Sequence, residues 1–247
     1  MTSRIQLVCI WSGILAVVFY ALGWGVIAGF LPPPLPSDSA RQITAFYSAN
    51  RTAIGAGQVL GLVAVIGFVP FFALISAHLY RIERGSLPLL AVMQLCGGLL
   101  LVAFFFICSI AWITASFRSD ADVGAVRALN DFGWLAFVVV WPEYSLQMAC
   151  IAVAVLSDKS STPVWPRWFG YATVFAGVSG AGGTLAVFFK YGPFAWNGIV
   201  GLYQGLVVFV IWMAFMCFFL FRQARRDGAA SEVRAPELVG ELRRASQ

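Results

Sequence analysis

Apolar residues in this 247-residue chain fall into six long runs, separated by short polar or proline-rich breaks. A helix that crosses a bilayer needs about 20 predominantly apolar residues. The runs are Ile5 to Leu31, stopped by Pro32-Pro33-Pro34; Thr52 to Tyr80, stopped by Arg81-Ile82-Glu83-Arg84; Leu87 to Phe117; Gly133 to Ser157; Trp168 to Phe189; and Gly198 to Phe221. The pattern predicts an all-α, polytopic transmembrane bundle of about six helices over residues 1–221. After Phe221 the character changes. Residues 222–247 are polar and mixed in charge, without an apolar stripe, and read as a disordered cytoplasmic tail. The first run far exceeds the roughly 7–15 apolar residues of a signal peptide core, so it reads as a retained helix.

Two of the loops resemble each other. Ser37-Asp38-Ser39-Ala40-Arg41-Gln42-Ile43-Thr44-Ala45-Phe46-Tyr47 and Ser119-Asp120-Ala121-Asp122-Val123-Gly124-Ala125-Val126-Arg127-Ala128-Leu129 each open on a Ser-Asp pair suited to an N-cap. Each continues with apolar residues at helical spacing: Ile43, Phe46 and Tyr47 in one, Val123, Val126 and Leu129 in the other. Both predict a short amphipathic helix on the outer surface.

Composition agrees with a lipid environment: 60% of the residues are hydrophobic and 11% charged, and the mean hydropathy is +0.85. The formal net charge of +5 follows from basic loops rather than a dense patch, so no nucleic acid is expected as a partner. With both ends inside, the cytoplasmic side carries eleven Lys and Arg residues and the outer side five. Basic residues prefer the cytoplasmic side; Arg222, Arg225 and Arg226 decide the assignment, which puts both termini in the cytoplasm. Trp24, Trp112, Trp134 and Trp196 fall near outer helix ends, and Trp11, Trp165 and Trp168 near inner ends, as an interfacial belt would place them. Trp141 and Trp212 lie deeper and are assigned to packing.

Candidate chemistry is sparse. The five cysteines share no CxxC spacing and lie in apolar runs, as buried small hydrophobes do. A single histidine, His78, excludes a bis-histidine haem and argues against a histidine-rich metal centre; no cofactor and no metal are expected. His78 reads as an interfacial residue. Glu143 stands out. It follows Pro142 about ten residues into the fourth run, which is roughly 15 Å deep, and it is the only acidic residue inside any of the six runs. An ionisable group there faces the bundle interior or a wet cavity. Pro142 removes a helical hydrogen bond and frees the carbonyl near Val138, which predicts a kink. Gln147 lies one turn on, and Tyr144, Gln58, Tyr203, Gln204, Ser179 and Thr184 sit in runs that reach a similar layer. They line a shared pocket in one reading and hold helices together in the other. The run Ser179-Gly180-Ala181-Gly182-Gly183 permits close helix packing or a backbone wall against a ligand.

The stretches Phe30-Leu31-Pro32-Pro33-Pro34 with Ser37-Asp38-Ser39-Ala40, and Phe188-Phe189-Lys190-Tyr191-Gly192-Pro193-Phe194-Ala195-Trp196-Asn197-Gly198, resemble uncharacterised multi-helix membrane proteins of actinobacteria. The resemblance covers most of the spanning region, implies a membrane location and carries over no functional residue. The expectation is a multi-pass protein of a bacterial cytoplasmic membrane that binds or helps to move a small apolar or amphipathic molecule. Its site is a mid-membrane pocket of Glu143, Gln147, Tyr144, Gln58, Gln204 and Tyr203. Two alternatives stay open: a membrane enzyme (isomerase, cyclase or hydrolase) with Glu143 as general acid on a lipophilic substrate, and a non-catalytic scaffold subunit. The expected partners are the lipid bilayer, a small lipophilic ligand, and a membrane protein partner or a second copy of the chain.

Overall fold

The computed structural model describes residues 3–83, 87–120 and 122–245, with side chains through residue 229. Among them all regular structure is helical. α1 (Ser3–Tyr20) runs on as a π-helical segment, Ala21–Ile27. A short α2 (Ala40–Ala49) leads into α3 (Arg51–Val65), which α4 (Phe68–Glu83) continues almost in line. Then come α5 (Leu89–Phe117), α6 (Val123–Val139), α7 (Pro142–Ser157) and α8 (Arg167–Ser179), the last continued by 3₁₀ turns over Gly180–Val187. A π-helical turn, Ile199–Tyr203, opens α9 (Gln204–Ala245).

Five of these stretches are long and apolar enough to cross a membrane: Ser3–Ile27, Arg51–Glu83, Leu89–Phe117, Val123–Ser157 and Ile199–Ala229. The remaining apolar run, Trp168 to Phe189, differs from expectation. Its α-helix ends at Ser179 after 13 residues. Gly180, Gly182 and Gly183 follow, and glycine is the weakest helix former after proline; the chain tightens there into 3₁₀ geometry.

The packing order follows the chain. α1 lies on α3 and α4, these on α5, α5 on α6 and α7, α7 on α8, α8 on α9, and α9 returns to α1. The rods therefore close into a ring. The closing seam is built from Trp11 edge-on to Phe221 at 5.8 Å, from Ser3, whose hydroxyl donates to the Ala224 carbonyl (3.2 Å), and from Asp227. Oδ2 of Asp227 accepts from Gln6 Nε2 (2.8 Å) and Arg81 Nη1 (3.1 Å), while Oδ1 accepts from Gln223 Nε2 (2.9 Å). Ala224 is fully buried. The last helix is thus packed beyond Phe221, where the polar segment begins, and its backbone stays helical to Ala245. The side chains of 230–245 lie outside the described residues. Replacing Asp227 with alanine should cost about 1–2 kcal/mol, mainly through the amide donors of Gln6 and Gln223. The half-exposed Arg81 adds little, so Arg81→Gln should shift the thermal midpoint in detergent clearly less than Asp227→Ala.

The two loop motifs resolve differently. Ser39, rather than the Ser37-Asp38 pair, caps α2: its Oγ accepts from Gln42 N–H (3.3 Å), and Gln42 Oε1 accepts from Ser39 N–H (2.9 Å). This reciprocal capping box satisfies two free donors. Ile43 and Tyr47 are buried, and the Tyr47 hydroxyl donates to Asn130 Oδ1 of α6 (3.1 Å). In the second loop Asp122 caps the helix through Gly124 N–H (2.8 Å). That helix then runs unbroken from Val123 to Val139, so the expected short helix is the first part of a longer one.

Most tryptophans turn inward instead of forming a belt. Trp24, Trp112 and Trp134 are buried and pack with Phe30 and Phe137 at ring separations of 4.9–6.5 Å. Trp165 is buried against His78, edge to face at 5.8 Å. Only Trp11 and Trp168, each about half exposed, keep a position that suits an interface. Trp212 is a packing residue as expected, stacked on Phe169 and donating to Thr173 Oγ1 (3.0 Å).

Candidate functional site

Three of the departures from regular α-geometry meet in the second half of the chain. Val140 and Trp141 separate α6 from α7. Pro142 then occupies the first turn of α7, where a missing N–H is tolerated and its fixed φ suits a helix start. Trp141 N–H folds back to the Val139 carbonyl (2.8 Å), and Ser145 N–H takes the Trp141 carbonyl (2.8 Å). The predicted kink is therefore a full break. The second irregularity is the change from α8 to 3₁₀ turns at Gly180, and the third is the π-turn before α9. Gly183 joins the first two: a Cβ there would lie 2.0 Å from the Val138 carbonyl oxygen. Gly182 and Gly201 belong to the third contact, with a Cβ on Gly182 reaching Val200 at 2.8 Å and one on Gly201 reaching the Ala195 carbonyl at 2.1 Å.

A cavity of about 140 Å³ lies among these breaks. Leu101, Phe104, Phe105 and Cys108 of α5 form one wall. Phe137, Val140, Trp141 and Tyr144, at the α6–α7 break, form another. Ser179, Gly180 and Gly183 close a third side, and Gly201, Leu202, Gly205, Leu206 and Phe209 the fourth. The polar side-chain groups on the walls are the hydroxyls of Ser179 and Tyr144, beside the Cys108 thiol and the Trp141 indole N–H. Ser179 donates to the Ala176 carbonyl (2.7 Å). The Tyr144 hydroxyl is buried without a hydrogen-bond partner among the described residues, and its ring meets the edge of Phe209 at 6.1 Å.

Of the six candidate site residues, Tyr144 alone lines this cavity. Glu143 is 8% exposed and sits in the first turn of α7. Its Oε1 is buried without a hydrogen-bond partner among the described residues, at a helix N-terminus whose partial positive charge suits an acid. Its backbone carbonyl lies against Gly97 of α5, where a Cβ would approach to 3.0 Å. Gln147 is fully buried with its amide over Gly98, near Phe72. Gln58 is fully buried in α3. Neither the Gln58 nor the Gln147 amide has a partner among the described residues. Tyr203 and Gln204 are half-buried at the π-turn, next to lining residues but not among them. Neither buried glutamine therefore lines the cavity.

Two further polar features serve packing. Glu83 caps α5, accepting from Leu90 N–H (2.8 Å) and Ala91 N–H (2.9 Å). Ser76 joins α4 to α5 by donating to the Ala91 carbonyl (2.8 Å) and bonding Gln94. His78 is buried, and neither ring nitrogen has a hydrogen-bond partner among the described residues. Sequence reasoning weighed Tyr144, Ser179 and the glycine run, assigned Trp141 to packing, and passed over Phe104, Phe105, Phe137 and Phe209. Apolar residues in an apolar helix carry no signal of their own; only the Pro142 break pointed to this level. Comparison of the chain with family models, with curated proteins and with solved structures finds no match.

Proposed function

We propose that this chain is a multi-pass protein of a bacterial cytoplasmic membrane that binds, or helps to move, a small apolar or amphipathic molecule in the cavity between its broken helices. The observation that carries the reading is the convergence of three helix irregularities on one apolar cavity. Irregular backbone at membrane depth is tolerated where it is buried in protein or lines a cavity, and ligand sites in helical membrane proteins favour such breaks. The site centres on Tyr144, with Trp141 and Ser179 beside it. Glu143 supports the start of α7. The general-acid alternative needs substrate access to the Glu143 carboxyl, and the cavity is lined by its neighbour instead.

The same reading makes six crossings. α8 with its 3₁₀ extension is 13 and 8 residues long, about 35 Å at the rises of the two helix types, against a hydrocarbon core of about 30 Å. Six crossings put both termini on one side, and the arginines after Phe221 make that side the cytoplasm. α2 and the start of α6 then face outward.

Gly205 provides the test. It lines the cavity, and a Cβ there meets no atom within 4 Å. Gly205→Leu should fill the space, keep the fold and abolish saturable binding of an apolar probe such as toluene to the protein in nanodiscs. Glu143→Gln should leave that affinity within about twofold, since no direct contact is lost. Unchanged toluene binding in Gly205→Leu would overturn the proposal.

A further inference from the structure

The size of the cavity and its unpartnered hydroxyl narrow the class of ligand, on the premise that the cavity is a binding site. Its volume of about 140 Å³ is close to the roughly 150 Å³ of an apolar protein cavity that holds one benzene. Six aromatic side chains, Phe104, Phe105, Phe137, Trp141, Tyr144 and Phe209, stand around it among aliphatic ones. Such rings present faces and edges of opposite partial charge, which suits a flat aromatic guest. No charged side chain lines the space, so an ionic group on the guest would be desolvated without a counter-charge.

The polar chemistry is correspondingly small. Tyr144 is 9% exposed, and its hydroxyl lacks a hydrogen-bond partner among the described residues. A buried hydroxyl normally finds one. Ser179 commits its hydrogen to the Ala176 carbonyl, which leaves Tyr144 as the side-chain hydroxyl with a hydrogen to give. We infer that the cavity takes a single six-membered aromatic or quinonoid ring bearing a neutral oxygen, and that the Tyr144 hydroxyl donates to that oxygen.

Phenol and toluene, which match in size and differ in the oxygen, are the probes. They are titrated calorimetrically into the full chain in nanodiscs, with empty nanodiscs as background. Phenol and toluene should both saturate. Tyr144→Phe should weaken phenol about tenfold more than it weakens toluene, because only the ring oxygen loses a hydrogen-bond partner. In the unmodified protein, phenol but not toluene should shift the hydroxyl-sensitive Raman doublet of tyrosine, a readout that needs no substitution. If Tyr144→Phe weakens phenol no more than toluene, or the Raman doublet answers to both probes alike, the inference of a ring oxygen is overturned while the binding cavity stands. If neither probe saturates, the binding reading falls with it.

Discussion

Gly183→Ala should be among the most damaging single-methyl changes in the protein, lowering stability by about 3 kcal/mol, the upper end of overpacking costs. The added Cβ would lie 2.0 Å from the Val138 carbonyl oxygen. That oxygen is backbone at the end of α6, so it cannot swing aside as a flexible side chain does. Either the 3₁₀ segment or the end of α6 must move by more than an ångström. The sign of the effect is informative, because alanine is intrinsically the better helix former by about 1 kcal/mol. A helix that simply crossed lipid would be stabilised. Gly180→Ala is the matched control: its Cβ would sit at an ordinary 3.4 Å from Trp141 and Tyr144. The measurement is the unfolding midpoint of each variant in mild detergent. If Gly183→Ala equals or exceeds the parent in stability, the two broken helices do not meet as described.

Trp112→Ala should cost about 3–5 kcal/mol, and Trp168→Ala less than about 1 kcal/mol. Trp112 is fully buried, with ring centres of Phe30 at 4.9 Å, Trp134 at 5.0 Å and Phe137 at 5.7 Å. The backbone of α6 lies directly on the indole, since a Cβ on Gly133 would come within 2.4 Å of Nε1. Its truncation leaves a void at the point where the first, third and fourth spans and α2 converge. Part of the usual driving force is missing, because a lipid-facing reference state is already apolar. The lost dispersion contacts remain, which sets the expectation at the lower half of the range. Trp168 is half exposed and packs edge-on to Phe215 and Phe219. Comparable destabilisation by both substitutions would contradict the inward placement of Trp112.

The Pro142-Glu143 step was legible as a flaw in an otherwise apolar run, but which of Glu143 and Tyr144 faces the cavity was not. Successive residues on a helix point about 100° apart. Once the chain restarts at Pro142, Tyr144 lines the cavity while Glu143, at the N-terminus of α7, does not. Depth along the chain placed both residues at the same level and said nothing of direction. Gln58 and Gln147 show the same limit: each is fully buried, yet neither lines the cavity.

The sequence by itself determined that this is a membrane-spanning, all-helical chain, and it set the extent of most rods. The reason is physical: in lipid every backbone group must find its partner within its own segment, so apolar length reads directly as helix length. It also marked the punctuation, in Pro142 and in the glycines after Ser179, whereas the cap it offered at Ser37-Asp38 falls on Ser39 instead. Only the tertiary structure decided which face of each rod turns inward, that Trp24, Trp112 and Trp134 form a core, and that three irregular turns border one cavity. A soluble helix announces its buried face by a stripe of apolar residues. A helix in a bilayer is apolar toward lipid and toward its neighbours alike, so its orientation is set by shape, by where glycine lets backbones touch and where an aromatic ring fills the gap.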